Sequence, residues 1–205
     1  MNYPDLTFAI DVSGTPYGTV IIGCISILSK NSSAVISNFK KNFRKYWGRK
    51  GKDLRHSNLI EILDYLEKEQ IRSSTLYVTA NDWNFNLKKT PKVKAYRTEK
   101  LFGILYFLTL RNFSKPKKSY PVVVCEEKFM DIDTVISSCR NIAKMRGMDF
   151  SFSKSSGRYN DYVKIADYVA SMGRKIKPTV LNKYQYHFHR RKIKIPDLYI
   201  NKVFK

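Results

Sequence analysis

The sequence predicts an α/β fold: a mixed sheet that opens with an antiparallel hairpin and carries helices on its faces. Three observations predict it. Two runs of strand-forming residues, 5 to 13 and 18 to 28, flank "SGTPYG", whose Gly and Pro are turn residues. Helical and strand patterns then alternate along the chain, as they do in α/β folds. The short run "YPVVVCEE" is apolar at its centre, like a strand covered on both sheet faces.

The remaining elements follow in order. "SAVISNFKKNFRKYW" reads as a helix after a Ser cap, and "GRKGKDLR" breaks it. A second helix starts near Ser57, with Leu59, Ile62, Leu63 and Leu66 at i, i+3, i+4 and i+7. "STLYVTAN" is a third strand, followed by a polar, basic loop through "NLKKTPK" and a long helix over residues 93 to 112. After the central apolar strand come a helix from about Asp131 to Arg146, a strand "MDFSFS", a loop "SKSSGRYN" and a helix "DYVKIADYVASMGRK". From Arg174 to Lys205 the pattern changes, with ten Lys or Arg against Asp197 alone. The expected organisation is therefore one domain over residues 1–175, with 176–205 as a basic, aromatic C-terminal arm packed on it or extending it. No internal repeat is visible.

Composition narrows the function. At 205 residues and 43% hydrophobic, the chain can bury a core and is not disordered. Lys and Arg number 38 against 17 Asp and Glu, a formal charge of +21, and 14% of residues are aromatic. That combination points to a nucleic-acid partner, with an anionic membrane surface or simple solubility as alternatives. No apolar run reaches the roughly 18 to 20 residues a membrane span needs, and no basic segment precedes the first apolar run. The expectation is a soluble, cytoplasmic protein. Cys24, Cys125 and Cys139 are odd in number and lack CxxC spacing, so they read as reduced core thiols. There is no GxxxxGK[ST] loop and no convincing Ser-His-Asp set.

Three acids have an unusual setting. Asp11 directly follows Phe8, Ala9 and Ile10, Glu126 follows Val122 to Cys125, and Asp167 shares a helix face with Val163 and Ala170. Burying an ionised carboxylate is costly without a partner. Each acid alone fits a cap, a turn or a surface ion pair; together, in so basic a chain, they suggest a carboxylate cluster for a divalent cation at a sheet edge. Alternation along the strand allows only one of Glu126 and Glu127 to join such a cluster.

The order of "IDVSG", "GTVIIGCISI", "GKDLRHSNL", "VVVCEEKF" and "FSFSKSSGRYNDYVKIADYVASMGR" resembles a prokaryotic RNase H-like family. Its members begin with an Asp-Glu-Ser-Gly strand and close with a Gln-x-Ala-Asp-hydrophobic-hydrophobic-Ala helix. The resemblance spans residues 5 to about 175. It matches Asp11 to the first-strand Asp, Ser13-Gly14 to the Ser-Gly, and Asp53, Arg55 and Ser57 to a Glu-x-Lys-x-Ser motif. Glu126 matches an Asp after the central strand, and Asp167 the acid of the last helix. The sequence departs from the pattern at Val12 (usually Glu), Asp53 (Glu) and Lys164 (Gln).

The resemblance implies an RNase H-like fold and a nuclease with two Mg²⁺ or Mn²⁺ ions roughly 3.5 to 4 Å apart, hydrolysing phosphodiesters of DNA or RNA. Asp11 would bridge both ions, Glu126 and Asp167 would each complete one site, and Asp161 or Asp53 would add a fourth ligand. A junction resolvase working as a homodimer is one version. The alternative is a non-catalytic nucleic-acid-binding protein that keeps the fold.

Candidate phosphate contacts are Lys40, Lys41, Arg44 and Lys45, then Arg49, Lys50, Lys52 and Arg55, together with Lys88, Lys89, Lys92 and Lys94. Lys164, one turn before Asp167, pairs with it or with a phosphate. His56 precedes a helix and is placed to touch a phosphate or protonate a leaving group; a solvated loop histidine is the simpler reading. In "KYQYHFHRRKIKI", Tyr184, Tyr186 and Phe188 alternate with Gln185, His187 and His189 before Arg190, Arg191 and Lys192. That pattern fits either a strand with its aromatic face on the core or a ribbon with rings for stacking on unpaired bases.

Overall fold

The computed structural model describes residues 5–14, 19–91, 96–116, 119–126, 130–155, 160–184 and 188–204, with backbone alone at 188–191. Strands β1 (Leu6–Ser13) and β2 (Val20–Leu28) form the opening hairpin, in a register that sets Asp11 opposite Gly23. β3 (Arg72–Val78) lies antiparallel on β2. β4 (Ser119–Cys125) runs parallel to β1, β5 (Asp149–Ser155) parallel to β4, and β6 (Phe188–Lys192) parallel to β3. The result is a mixed six-stranded sheet in the order β5-β4-β1-β2-β3-β6.

The helices in chain order are α1 (Ser32–Asn42), α2 (His56–Lys68), α3 (Ala80–Lys89), α4 (Arg97–Leu110), α5 (Ile132–Met145), α6 (Asp161–Lys175), α7 (Pro178–Leu181) and α8 (Asp197–Phe204). Alternation along the strands divides the interior in two. Phe8, Ile10, Ile22, Val122 and Val124 face α4, α5 and α8, which contribute Phe102, Leu105, Val135, Cys139, Tyr199 and Phe204. Ala9, Ile25 and Ile27 face α1, α2 and α6, which contribute Phe39, Leu59, Leu63, Ala166 and Val169. Because both faces are covered, β1 and β2 are apolar along nearly their whole length instead of alternating with polar residues. All ten residues from Leu101 to Leu110 are buried, so α4 lacks the polar stripe of a surface helix.

Gly23 explains how α6 reaches the sheet. A Cβ there would lie 2.4 Å from the Ala170 nitrogen and 2.5 Å from the Ala166 oxygen. The helix backbone therefore rests directly on β2, opposite the strand position occupied by Asp11.

Three expectations need correction or extension. The expected loop after β3 contains α3: Thr79 Oγ1 accepts from the Asp82 N–H at 3.2 Å, while Trp83 and Asn86 are buried on the inner side. Too few apolar residues signalled it, although Thr-x-x-Asp is a cap pattern. The first helix ends at Asn42 instead of Trp47; Phe43 and Tyr46 are buried from the turns that follow. The C-terminal stretch supplies both the sixth strand and, through Tyr199, Ile200, Val203 and Phe204, part of the core. Among the described residues, no helix is long and apolar enough to cross a membrane. All three cysteines are buried thiols outside any disulfide among the described residues.

Candidate functional site

Asp11 sits near the C-terminal end of β1 and is 6% exposed, the one buried carboxylate among the described residues. Directly opposed residues of an antiparallel pair share a sheet face. Gly23, its partner, faces α6, so Asp11 lies on the α6 side.

Asp167 stands on α6 and meets its neighbours through Oδ2. This atom accepts the Gly51 N–H at 2.8 Å and lies 3.6 Å from Lys164 Nζ. Lys164 is itself drawn inward, with 13% of its side chain exposed and its ammonium 5.4 Å from the centre of the Tyr168 ring. Of the two roles expected for Lys164, the structure shows the pairing with Asp167. Asp161, in the first turn of α6, pairs with Lys40 at 2.9 Å. Six residues of helix separate it from Asp167, a rise of about 9 Å. Asp53 is exposed in a 3-10 turn (Gly51–Asp53), and its carbonyl accepts from Arg49 Nη2 at 2.9 Å.

Glu126 goes elsewhere. In the β1–β4 register Ala9 matches Val123 and Ile10 matches Val124, and continuation matches Val12 to Glu126. The Glu126 N–H continues the ladder to the Ser155 carbonyl at 2.9 Å. Alternation then puts Glu126 on the face of Val12, Val122 and Val124, away from Asp11 and α6. Electrostatics agree: Glu126 helps raise the pKa of Lys154, whose main cause is its hydrogen bond to Asp133 at the start of α5. Glu127 lies outside the described residues.

Among the described residues, no three His, Cys, Asp or Glu side chains are grouped to hold a metal ion. The expected metal set of Asp11, Glu126 and Asp167 is therefore not assembled from these residues. Strand alternation separates Glu126, a backbone amide and Lys164 engage Asp167, and Lys40 engages Asp161. Among the described residues these donors do not by themselves complete a two-metal centre for Mg²⁺ or Mn²⁺.

What the same neighbourhood does assemble is positive charge. From residue 40 to 55 there are eight Lys or Arg and one acid, Asp53. Lys41, Arg44, Lys45, Arg49, Lys50, Lys52 and Arg55 are exposed and Lys40 is half-buried. Lys40 and Lys45 pair with Asp161 and Glu61. The segment is fastened to α6 by bonds no sequence pattern announced: Tyr168 Oη donates to the Tyr46 carbonyl at 2.8 Å, and Lys175 Nζ donates to the carbonyls of Lys52 and, at 2.7 Å, Leu54. Burial pushes the Tyr168 phenol well above its ordinary range, and the nearby Asp167 charge adds to that. His56 is the exposed first residue of α2.

Two other candidate phosphate contacts form ion pairs. Lys89 pairs with Asp197 at 2.8 Å and Lys192 with Asp82 at 3.4 Å. The side chains of Arg190, Arg191, Phe188 and His189 are not described, and Lys92, Lys94, Gln185, Tyr186 and His187 lie outside the described residues.

No protein-family model and no curated protein matches the sequence. Solved structures do match the fold. RNase HII of Archaeoglobus fulgidus, seen in a complex with PCNA, aligns over 88% of this chain and 77% of its own at a TM-score of 0.53 and 13% identity. Ribonuclease H2 of Pyrococcus horikoshii OT3 aligns over 87% and 76% at 0.57 and 14%. The chain has an RNase H-like fold. A mutant form of Bst-RNase HIII aligns over 86% of this chain at a TM-score of 0.54 and 12% identity, and this chain spans about half of it, 54%. At such identities the likeness is one of architecture.

Proposed function

We propose that this chain is a nucleic-acid-binding protein on an RNase H-like scaffold, with residues 40 to 55 as its phosphate-contacting ridge. The observation that carries the reading is the concentration of cations on a segment fastened to α6: eight Lys or Arg, seven of them exposed and six in no ion pair among the described residues. A phosphate backbone meeting such a ridge releases its condensed counterions, so affinity is electrostatic and tolerant of sequence. The shared chemistry of DNA and RNA phosphates makes either a ligand for the ridge.

A second reading, metal-dependent phosphodiester hydrolysis, is favoured by one observation: the 6% exposure of Asp11 near the C-terminal end of β1, on the face covered by α6.

One experiment separates them. Fluorescence anisotropy measures binding to single-stranded, duplex and four-way-junction DNA and RNA, and a parallel cleavage panel contains Mg²⁺, Mn²⁺ or chelator. Salt-sensitive binding without cleavage supports the binding reading. Metal-dependent cleavage that disappears in Asp11→Asn, while binding persists, replaces it with hydrolysis. Absence of binding at low salt refutes both.

A further inference from the structure

We infer that Asp167 is a positioning residue whose carboxylate docks the basic ridge onto α6. The inference rests on the nucleic-acid-binding reading for its purpose, but its geometry stands independently. Five residues of α6 at i, i+3, i+4, i+7 and i+11 meet one stretch of chain or each other: Lys164, Asp167, Tyr168, Ser171 and Lys175. That spacing lines one side of a helix.

Asp167 Oδ2 holds the Gly51 N–H at 2.8 Å. Tyr168 holds the Tyr46 carbonyl, and Lys175 those of Lys52 and Leu54. The approach between Gly51 and the helix leaves no room for a side chain. A Cβ on Gly51 would lie 2.5 Å from Ser171 Oγ and 2.8 Å from the Asp167 carbonyl oxygen, and the latter is helix backbone that cannot yield.

The charges fit the same role. Residues 49 to 55 carry Arg49, Lys50, Lys52 and Arg55 against Asp53, so the segment repels itself. A carboxylate at its base attracts it, and the amide hydrogen bond gives that attraction direction. Lys164, at 3.6 Å, supplies the counter-charge that α6 needs beneath the loop. A docked ridge presents its cations from a fixed backbone, so less ordering accompanies binding. The acid on this helix is thus used for attachment of the nucleic-acid-contacting segment.

The test compares Asp167→Asn, Asp167→Ala and Lys175→Met in the full chain, with circular dichroism as the folding control. Asn retains a side-chain oxygen acceptor for Gly51 and loses the charge; Ala loses both. Three readouts are tryptic nicking at Arg49, Lys50, Lys52 and Arg55, hydrogen exchange of the Gly51 amide, and affinity for a duplex oligonucleotide.

Docking predicts that Ala speeds nicking and Gly51 exchange by about tenfold or more, the order of a hydrogen bond to a charged group. Asn, which keeps the acceptor but loses the charge, rescues only part of that loss, and Lys175→Met, which leaves the acid intact, also speeds nicking. Affinity falls in the same order. Nicking and exchange unchanged in Ala overturn the docking role. If Ala does not fold, nicking unchanged in Lys175→Met together with Gly51 exchange unchanged in Asn does so. Protection of the wild type from nicking by Mg²⁺ or Mn²⁺, lost equally in Asn and Ala, would make Asp167 a metal ligand and also overturn it. A wild type that binds no nucleic acid removes the functional reading, while nicking and exchange still decide the docking geometry.

Discussion

Replacing Arg49, Lys50 and Lys52 together by Gln removes three cations from the docked ridge and tests what the ridge touches. All three are exposed, so the substitutions leave the interior unchanged. Of the eight cations between residues 40 and 55, Lys40 and Lys45 are held in ion pairs, which leaves six to meet phosphate. At roughly −0.9 per phosphate neutralised on duplex DNA, six contacts give a log–log slope of affinity against salt of about −5. The triple variant keeps three contacts and a slope of about −3. Between about 50 and 200 mM salt, the wild type then loses about a thousandfold in affinity and the variant about sixtyfold. Anisotropy titrations of a labelled duplex at four or more salt concentrations measure both slopes. A slope unchanged by the triple substitution would refute the argument, because the phosphate contacts would then lie on another basic surface.

Other predictions follow from the packing and the caps. Gly23→Ala pushes a methyl into the backbone of α6 at 2.4 Å and should destabilise the protein by about 3 kcal/mol, the upper end for overpacking, as read by urea denaturation; a loss near zero would mean that α6 slides freely. Burial pushes the Cys24 and Cys139 thiols far above the ordinary range, so a thiol reagent at mild alkaline pH should leave both unmodified in the native chain and label them on unfolding. Asp131 caps α5, and the Thr134 hydroxyl, ahead of the backbone amides of Asp133 and Thr134, holds its carboxyl below the usual range. Its ionised form stabilises the fold above the unfolded value of about 3.9, and that contribution is lost as pH falls through the lower folded value. Asp131→Asn keeps a capping oxygen that does not titrate, so urea midpoints below about pH 4 should fall less steeply than in the wild type.

Much of the fold was legible because local periodicity reports local burial. The hairpin follows from two apolar runs around a Gly- and Pro-containing turn. Helix α6 coincides with "DYVKIADYVASMGRK", because Asn160 caps its start and apolar residues recur every three or four positions. Helix α3 was illegible because Trp83 is its one large, fully buried apolar residue, too few for a periodic signal. In the candidate site, the burial of Asp11 was readable from its apolar neighbours, whereas the destinations of Glu126 and Asp167 were not.

By itself, the sequence determined the alternation of strands and helices, the acid after the first apolar run and a net charge of +21, since these depend only on residues near one another in the chain or on their sum. Only the tertiary structure decided which groups meet. Strand alternation continued one residue past β4 turns Glu126 to the face opposite Asp11, and contact between segments 116 residues apart brings Gly51 to Asp167. A carboxylate carries the same charge and the same oxygens whether it binds a metal, a lysine or a backbone amide. Its role is therefore set by the partner that folding brings within hydrogen-bonding distance, and for Asp167 those partners are the Gly51 amide and Lys164.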